Sequence, residues 1–229
     1  LSSLTSQNYK KELVEIIFVD DFSDDNTFKL ASKYKTVNTY QLKNVLGKQF
    51  KNSPNKKRAL NFGLSKAKNN IVITVDSDCT YPENWLKAMT QFYLKKQPKL
   101  LTAPVAFFKE KGIFSSFLTM DLFSLMGITA ASIKNGKPSM VNGANLMFSK
   151  DTFEAVNGYN GNENVASGDD IFLMQKINKT FPGEIVFLKN YDAVTETLPP
   201  QNFIDFVNQR IRWTSKSSRH ADTNIVLTL

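Results

Sequence analysis

The two residue types that most often build metal centres are almost missing from this 229-residue chain, which has one cysteine, Cys79, and one histidine, His220. No intramolecular disulfide can form, and cysteine-cluster or multi-histidine metal sites are excluded. Any chemistry must run on carboxylates, amides, hydroxyls, Lys and Arg. No internal repeat, low-complexity block or obvious linker is visible, and nothing at the start resembles a signal peptide. Leu1 opens a polar segment without an initial Met, the expected look of a trimmed piece of a longer protein. Long uncharged runs are scarce too. The longest weakly charged stretch, Ile113 to Ile133, approaches the length of a membrane span, but it contains Asp121, several Ser and Thr, and Gly127. Those residues favour a buried or interface-lying helix over a spanning one.

What is present is ordinary for a globular domain: 41% hydrophobic and 22% charged residues. One domain over residues 1–229 is expected. Lys+Arg number 29 against 21 Asp+Glu, a formal net charge of +8. Such a balance points to an anionic partner: nucleic acid, an acidic membrane surface or a phosphorylated small substrate. Aromatic residues sit mainly in apolar runs rather than among Lys and Arg, which disfavours a single-strand nucleic-acid platform.

Strand-like and helix-like segments alternate. Val14 to Val19 and Ile71 to Val75 are β-branched runs ending at Asp20-Asp21 and Asp76-Ser77-Asp78; Val37 to Leu42, Leu100 to Phe108 and Gly143 to Phe148 also read as extended. Helical spacing covers Asp24 to Lys35, a stretch opening near Ser53-Pro54, Pro82 to Lys96, Phe114 to Ile133, a segment from Asp169, and Asn202 to Trp213. Short strand-like runs surround Ile185 and Ala193. The alternation predicts an α/β fold with a mostly parallel, mixed sheet flanked by helices on both faces, where ligands sit beyond the carboxyl ends of the strands. Both acidic clusters fall at that edge.

Several groups could carry chemistry there, and each has a plain structural alternative. Asp76 and Asp78 lie one residue apart, so extended backbone points both carboxylates the same way. A hard cation, Mg²⁺ or Mn²⁺, would relieve their repulsion and could bridge a diphosphate; a solvated turn would do as well. Asp20 and Asp21 suit a base or ribose, or an ordinary turn. Lys56, Lys57 and Arg58 fit a phosphate clamp or a solvated helix face. Asp169 and Asp170 open a helix, where one carboxylate is explained as a cap and the other suits a general base. Gln209, Arg212 and Trp213 are spaced i, i+3, i+4 and so share a helix face, which fits a pyrophosphate and a sugar ring, or a core tryptophan beside an exposed arginine.

Taken in order, these residues resemble the family 2 glycosyltransferases of the GT-A fold, particularly the membrane-associated polysaccharide synthases. Val19-Asp20-Asp21-Phe22-Ser23-Asp24-Asp25-Asn26-Thr27 is similar to the family's first acidic motif, K-K-R-A-L-N from Lys56 to its basic segment with Asn55 in place of glycine, and Asp76-Ser77-Asp78 to its D-x-D. Asn142-Gly143-Ala144-Asn145 looks like the acceptor-pocket strand, Gly168-Asp169-Asp170 like the catalytic acidic pair, and Gln209-Arg210-Ile211-Arg212-Trp213 fits Q-x-x-R-W in full.

The resemblance implies an inverting transfer from a nucleotide-diphosphate sugar, a UDP-sugar, to a hydroxyl of a carbohydrate or lipid-linked acceptor. Asp170 would be the base and Asp169 its neighbour. Asp20, Asp21, Lys56, Asp76, Asn145, Gln209, Arg212 and Trp213 would bind substrates, and Asp76 and Asp78 the divalent ion. The family's leading strand is not found in the sequence, and the implied setting is the cytoplasmic face of a membrane. A sugar nucleotidyltransferase and a basic nucleic-acid-binding module are the competing readings.

Overall fold

The computed structural model describes residues 1–46, 56–108, 111–161 and 168–217, with side chains as far as Trp213 in the last helix. The helix start at Ser53-Pro54 and Asn55 lie outside the described residues. Nine helices are described: α1 Ser2–Thr5, α2 Thr27–Ala31, α3 Leu42–Leu46, α4 Lys56–Lys66, α5 Trp85–Lys96, α6 Ile113–Lys134, α7 Lys150–Ala155, α8 Asp169–Thr180 and α9 Phe203–Ser217. The strands are β1 Ile16–Asp20, β2 Val37–Gln41, β3 Ile71–Thr74, β4 Cys79–Thr80, β5 Leu100–Thr102, β6 Val105–Phe107, β7 Leu146–Ser149, β8 Ile185–Phe187 and β9 Thr195–Thr197.

The strands form three sheets: β1-β2, β3-β7-β5-β8 and β4-β9-β6. β1 with β2, β5 with β8 and β6 with β9 are parallel, while β3 and β5 with β7, and β4 with β9, are antiparallel. The fold is therefore α/β with mixed sheets. β1 and β3 each keep one edge without a ladder partner among the described residues.

The four-stranded sheet carries the core on both faces because side chains alternate along each strand. Leu100, Leu146, Phe148 and Ile185 meet Leu64 of α4, Ile133 of α6 and Ile171, Met174 and Ile177 of α8. Leu101 and Met147 turn the other way, onto Trp85, Met89 and Tyr93 of α5. Gln7 caps α5 from a distance: its Oε1 accepts the Leu86 N–H at 2.8 Å, and its Nε2 donates to the Pro82 carbonyl at 2.8 Å.

Local departures from the sequence reading have identifiable causes. The extended run expected over Leu100 to Phe108 divides at Ala103-Pro104, where proline lacks a ladder N–H, so β5 and β6 enter different sheets. The run around Ala193 is a 3₁₀ turn at Tyr191–Ala193, and the strand begins at Thr195. The helix expected over Asp24 to Lys35 is confined to α2, and Asn142 to Asn145 forms a turn before β7, closed by Asn145 N–H to the Asn142 carbonyl at 3.0 Å.

Candidate active site

Helix α4 links the two acidic strand ends. Its Gly63 faces β1, where an added Cβ would stand in ordinary contact, 3.5 Å from Val19 Cγ2. In the first turn, Lys56 and Arg58 are two residues apart and point to different clusters. Arg58 Nη2 donates to Asp21 Oδ1 at 2.7 Å and its guanidinium lies 5.5 Å from the centre of the Phe22 ring. Phe22 takes a left-handed φ of 66°, unusual for a bulky residue, at the turn that presents this pair. Asp20 is buried; it accepts the Ser23 N–H and the Gln41 amide, each at 3.2 Å. Its role is therefore to hold the turn, with Asp21 the more accessible of the two.

Lys56 reaches the second cluster. Its Nζ donates to Asp76 Oδ1 at 2.6 Å and lies 3.7 Å from Asp169 Oδ2. Asp76 follows the end of β3, whose Thr74 hydroxyl bonds the Gly143 carbonyl at 3.0 Å. Gly143 N–H in turn donates to Asp170 Oδ2 at 3.1 Å. A Cβ on Gly143 would meet Asp170 Oδ2 at 3.4 Å and Lys56 Nζ at 3.5 Å, so bare backbone separates base candidate from cation. Gly168, at a left-handed φ of 78°, precedes α8 and sets Asp169 and Asp170 in its first turn. Asp169 is buried, and that burial together with the Asp170 charge holds its carboxyl above the ordinary range despite Lys56. For Lys56 burial opposes the charge, but Asp169, Asp76 and Asp170 more than offset it, and the ammonium is held above its usual value.

Removing this cation has a predictable cost. Lys56→Met should lower stability by about 1–2 kcal/mol, below the ~3–5 kcal/mol of a fully buried pair because the Lys56 side chain is 40% exposed. The raised Lys56 value fixes the sign: its contribution is complete below the unfolded value of 10.5 and shrinks as the pH climbs past it. Urea unfolding at neutral and alkaline pH checks this; equal midpoints for variant and wild type at neutral pH would refute it.

Asp78 is exposed, and its Oδ1 accepts from the Cys79 thiol at 3.5 Å. Burial and then Asp78 push that thiol up to about 12, so Cys79 is no thiolate nucleophile at neutral pH.

Two of the expected substrate contacts are engaged within the fold. Asn145 is 0% exposed, its Nδ2 donates to the Pro104 and Ala193 carbonyls at 2.9 and 2.8 Å, and its Oδ1 accepts the Trp85 indole N–H at 3.0 Å. Trp213 is packed as well. The Arg210 guanidinium covers its ring at 4.5 Å, and the indole packs with Phe107, Leu118 and Leu122. Arg210 also stacks on Phe206 at 5.1 Å and pairs with Asp121 of α6, which clamps α9 onto α6. Gln209 is half-buried and Arg212 exposed on α9; the contacts described for Trp213 run to α6 and β6 rather than to the acidic cluster. The sequence reading placed Arg58 in a phosphate clamp or a solvated face and Gly143 in the acceptor-pocket segment, and it gave Arg210 no individual role; the Asp21, Asp170 and Asp121 partners of these three depend on packing across the chain.

A family model, Glycosyl transferase family 2, matches residues 1–156. The chain belongs to this family. Among curated relatives, a protein of Sulfolobus acidocaldarius named as a glycosyltransferase is 26% identical over 231 residues, covering 95% of this chain and 46% of that protein. Poly-beta-1,6-N-acetyl-D-glucosamine synthase of Staphylococcus aureus is 25% identical over 222 residues, covering 93% of this chain and 49% of the relative. The chain thus spans about half the length of the curated relatives it matches. Among solved structures, S. aureus TarS residues 1–349 in complex with UDP-GlcNAc aligns with a TM-score of 0.62 at 18% identity, over 90% of this chain and 55% of that one. That likeness shows a shared fold, the GT-A type. The family match ends before α8, whereas the synthase and TarS alignments cover 93% and 90% of the chain.

Proposed function

We propose that the chain carries out inverting transfer of a sugar from a UDP-sugar to an acceptor hydroxyl on a carbohydrate or lipid-linked chain, at the cytoplasmic face of a membrane. The observation that carries this reading is the convergence of Asp76, Lys56, Asp169 and Asp170 around Gly143, at the carboxyl end of β3. Asp170 takes the proton from the acceptor hydroxyl as its oxygen attacks C1 of the sugar, and the bond from C1 to the diphosphate breaks with UDP leaving. The Asp21–Arg58 pair holds the nucleoside side, and Lys56, with Arg212 by resemblance, meets the diphosphate. Gln209 joins Arg212 in that assignment on resemblance alone. TarS in complex with UDP-GlcNAc supports a UDP-sugar and, with the N-acetylglucosamine in the name of the S. aureus synthase, makes UDP-N-acetylglucosamine the first donor to try.

Asp76 and Asp78 suit a divalent ion in chemistry, since both offer hard carboxylate oxygens one residue apart; Asp78 is exposed and ready to accept a ligand. Among the described residues no cluster of three metal-ligating side chains gathers, so Mg²⁺ or Mn²⁺ would complete its shell with diphosphate oxygens and water. The ion, when bound, supplies charge neutralisation for the departing diphosphate.

The test is incubation with UDP-N-acetylglucosamine and acceptor oligosaccharides, followed by product analysis. Release of UDP supports sugar transfer, whereas release of pyrophosphate in a parallel incubation with UTP and N-acetylglucosamine 1-phosphate would assign the fold to nucleotidyl transfer. Calorimetric UDP affinity should rise with Mn²⁺, and Asp78→Ala should remove most of that rise, by roughly tenfold in Kd. Equal affinity with and without Mn²⁺ would overturn the metal assignment.

A further inference from the structure

We infer that Thr74 is a positioning residue: through Gly143 it fixes the backbone N–H that holds Asp170, a role that rests on the proposed sugar transfer with Asp170 as its base.

Thr74 ends β3, whose sequence is Ile-Val-Ile-Thr. It is the strand's one polar side chain and is 8% exposed, so its hydroxyl must find an acceptor inside the fold. The antiparallel pairing of Thr74 with Leu146 of β7 uses backbone groups, and a valine would serve it equally well. The hydroxyl reaches instead to the Gly143 carbonyl at 3.0 Å, with the Leu146 carbonyl more distant at 3.5 Å. Strand packing alone has no use for that oxygen.

The turn over residues 142–145 is pinned group by group. Ala144 N–H donates to Asn142 Oδ1 and Asn145 N–H to the Asn142 carbonyl, each at 3.0 Å. The Asn145 carbonyl accepts the Ala103 N–H at 3.2 Å, and the Ala144 carbonyl lies 3.3 Å from the Tyr81 hydroxyl, which is shared with the Asp76 carbonyl at 3.4 Å. Of the N–H groups of residues 143–145, that of Gly143 is the one directed to another element's side chain, Asp170 Oδ2 at 3.1 Å. Glycine has the freest backbone of any residue, so this N–H keeps one direction only if something outside Gly143 holds it. The Gly143 carbonyl sits on the next peptide plane, joined at the same Cα, and Thr74 holds that plane.

The two bonds to the Asp170 carboxylate differ in what they fix. Oδ1 accepts the Ile171 N–H at 2.8 Å, a contact within α8 that travels with the helix. The Gly143 bond is the one that locates the carboxylate relative to β3 and therefore to Asp76, two residues beyond Thr74. One strand end thus sets both the carboxylate on the donor side and the group that takes the acceptor's proton. Misplacing a reacting group by about 1 Å costs up to ~10²-fold in rate, which makes this hydroxyl matter to turnover more than to binding.

Thr74→Val keeps the branched shape and removes the hydroxyl. With UDP-N-acetylglucosamine and an N-acetylglucosamine oligosaccharide as substrates, kcat should fall about tenfold or more while the Kd for UDP with Mn²⁺ stays within about twofold. Thr74→Ser returns the hydroxyl and should recover kcat to within about threefold of wild type. Added to Asp170→Asn, Thr74→Val should cost less than about twofold more, because its effect runs through that carboxylate. Thr129→Val removes an equally buried hydroxyl that bonds the Leu125 carbonyl of its own helix at 2.8 Å, and should turn over like wild type. Amide hydrogen exchange read by NMR needs no turnover: the Gly143 amide should exchange about tenfold faster in Thr74→Val and regain protection in Thr74→Ser, with the β7 amides unchanged. A kcat for Thr74→Val within about twofold of wild type, unaltered Gly143 exchange, or a full further loss on top of Asp170→Asn overturns the inference and leaves the base in place. A raised Kd for UDP with kcat intact gives Thr74 to Asp76 instead, and also overturns it. If Asp170→Asn itself keeps kcat within about tenfold of wild type, the base reading falls and the role of Thr74 falls with it.

Discussion

Asp170→Asn should slow acceptor-dependent UDP release by about 10³-fold while leaving the Kd for UDP within about twofold. The substitution keeps shape and the hydrogen bond from Gly143 N–H, because the asparagine carbonyl can take the place of Oδ2 at 3.1 Å. It gives up the bond from the Ile171 N–H, 2.8 Å from Oδ1, because asparagine has a single acceptor oxygen. What it removes is the ability to accept a proton in the transition state. Asp169→Asn is the control for the neighbouring carboxyl. Asp169 is buried against Lys56 at 3.7 Å and holds the cluster together, so its loss should alter stability and donor affinity more than the chemical step. A kcat for Asp170→Asn within tenfold of wild type, or a larger kcat defect for Asp169→Asn, would move the base elsewhere.

Much of this was legible in the chain, for reasons of pattern. Val14 to Val19 and Ile71 to Val75 stand out as β-branched runs stopped by acidic turns, and the structure ends β1 at Asp20 and places Asp76 just beyond β3. Gly168-Asp169-Asp170 before an apolar periodic run marked the start of α8. The one-turn helices α3 and α7 were not legible, since five or six residues leave almost no period to read. Partnerships across the chain were beyond local reading as well. That Arg58 serves Asp21 while Lys56 serves Asp76 depends on where α4 packs on β1, with its Leu64 set in the core. The same holds for Trp213. Its spacing with Gln209 and Arg212 was correct, yet which surface the indole meets was set by Asp121, nearly a hundred residues earlier, drawing Arg210 and α9 onto α6.

Asn145 supplies the second large prediction, and it separates a structural asparagine from one that greets an acceptor. Asn145→Ala should cost about 4 kcal/mol, because the Trp85 indole N–H loses its acceptor and the Pro104 and Ala193 carbonyls lose their donors inside the core. For a chain of this size that corresponds to a fall in Tm of roughly 8–16 °C, a large share of the ~5–15 kcal/mol by which domains are stable. Asn145→Asp should be no better. Its carboxylate could still accept from Trp85, but it would turn a second oxygen toward two carbonyl oxygens in a site with no water access. Thermal unfolding of both variants, with UDP affinity measured well below the transition, gives the answer. Lowered Tm with ordinary UDP affinity follows if Asn145 ties β6, α5 and the turn before β9 to one another. An unchanged Tm accompanied by a raised acceptor KM would return it to the acceptor pocket.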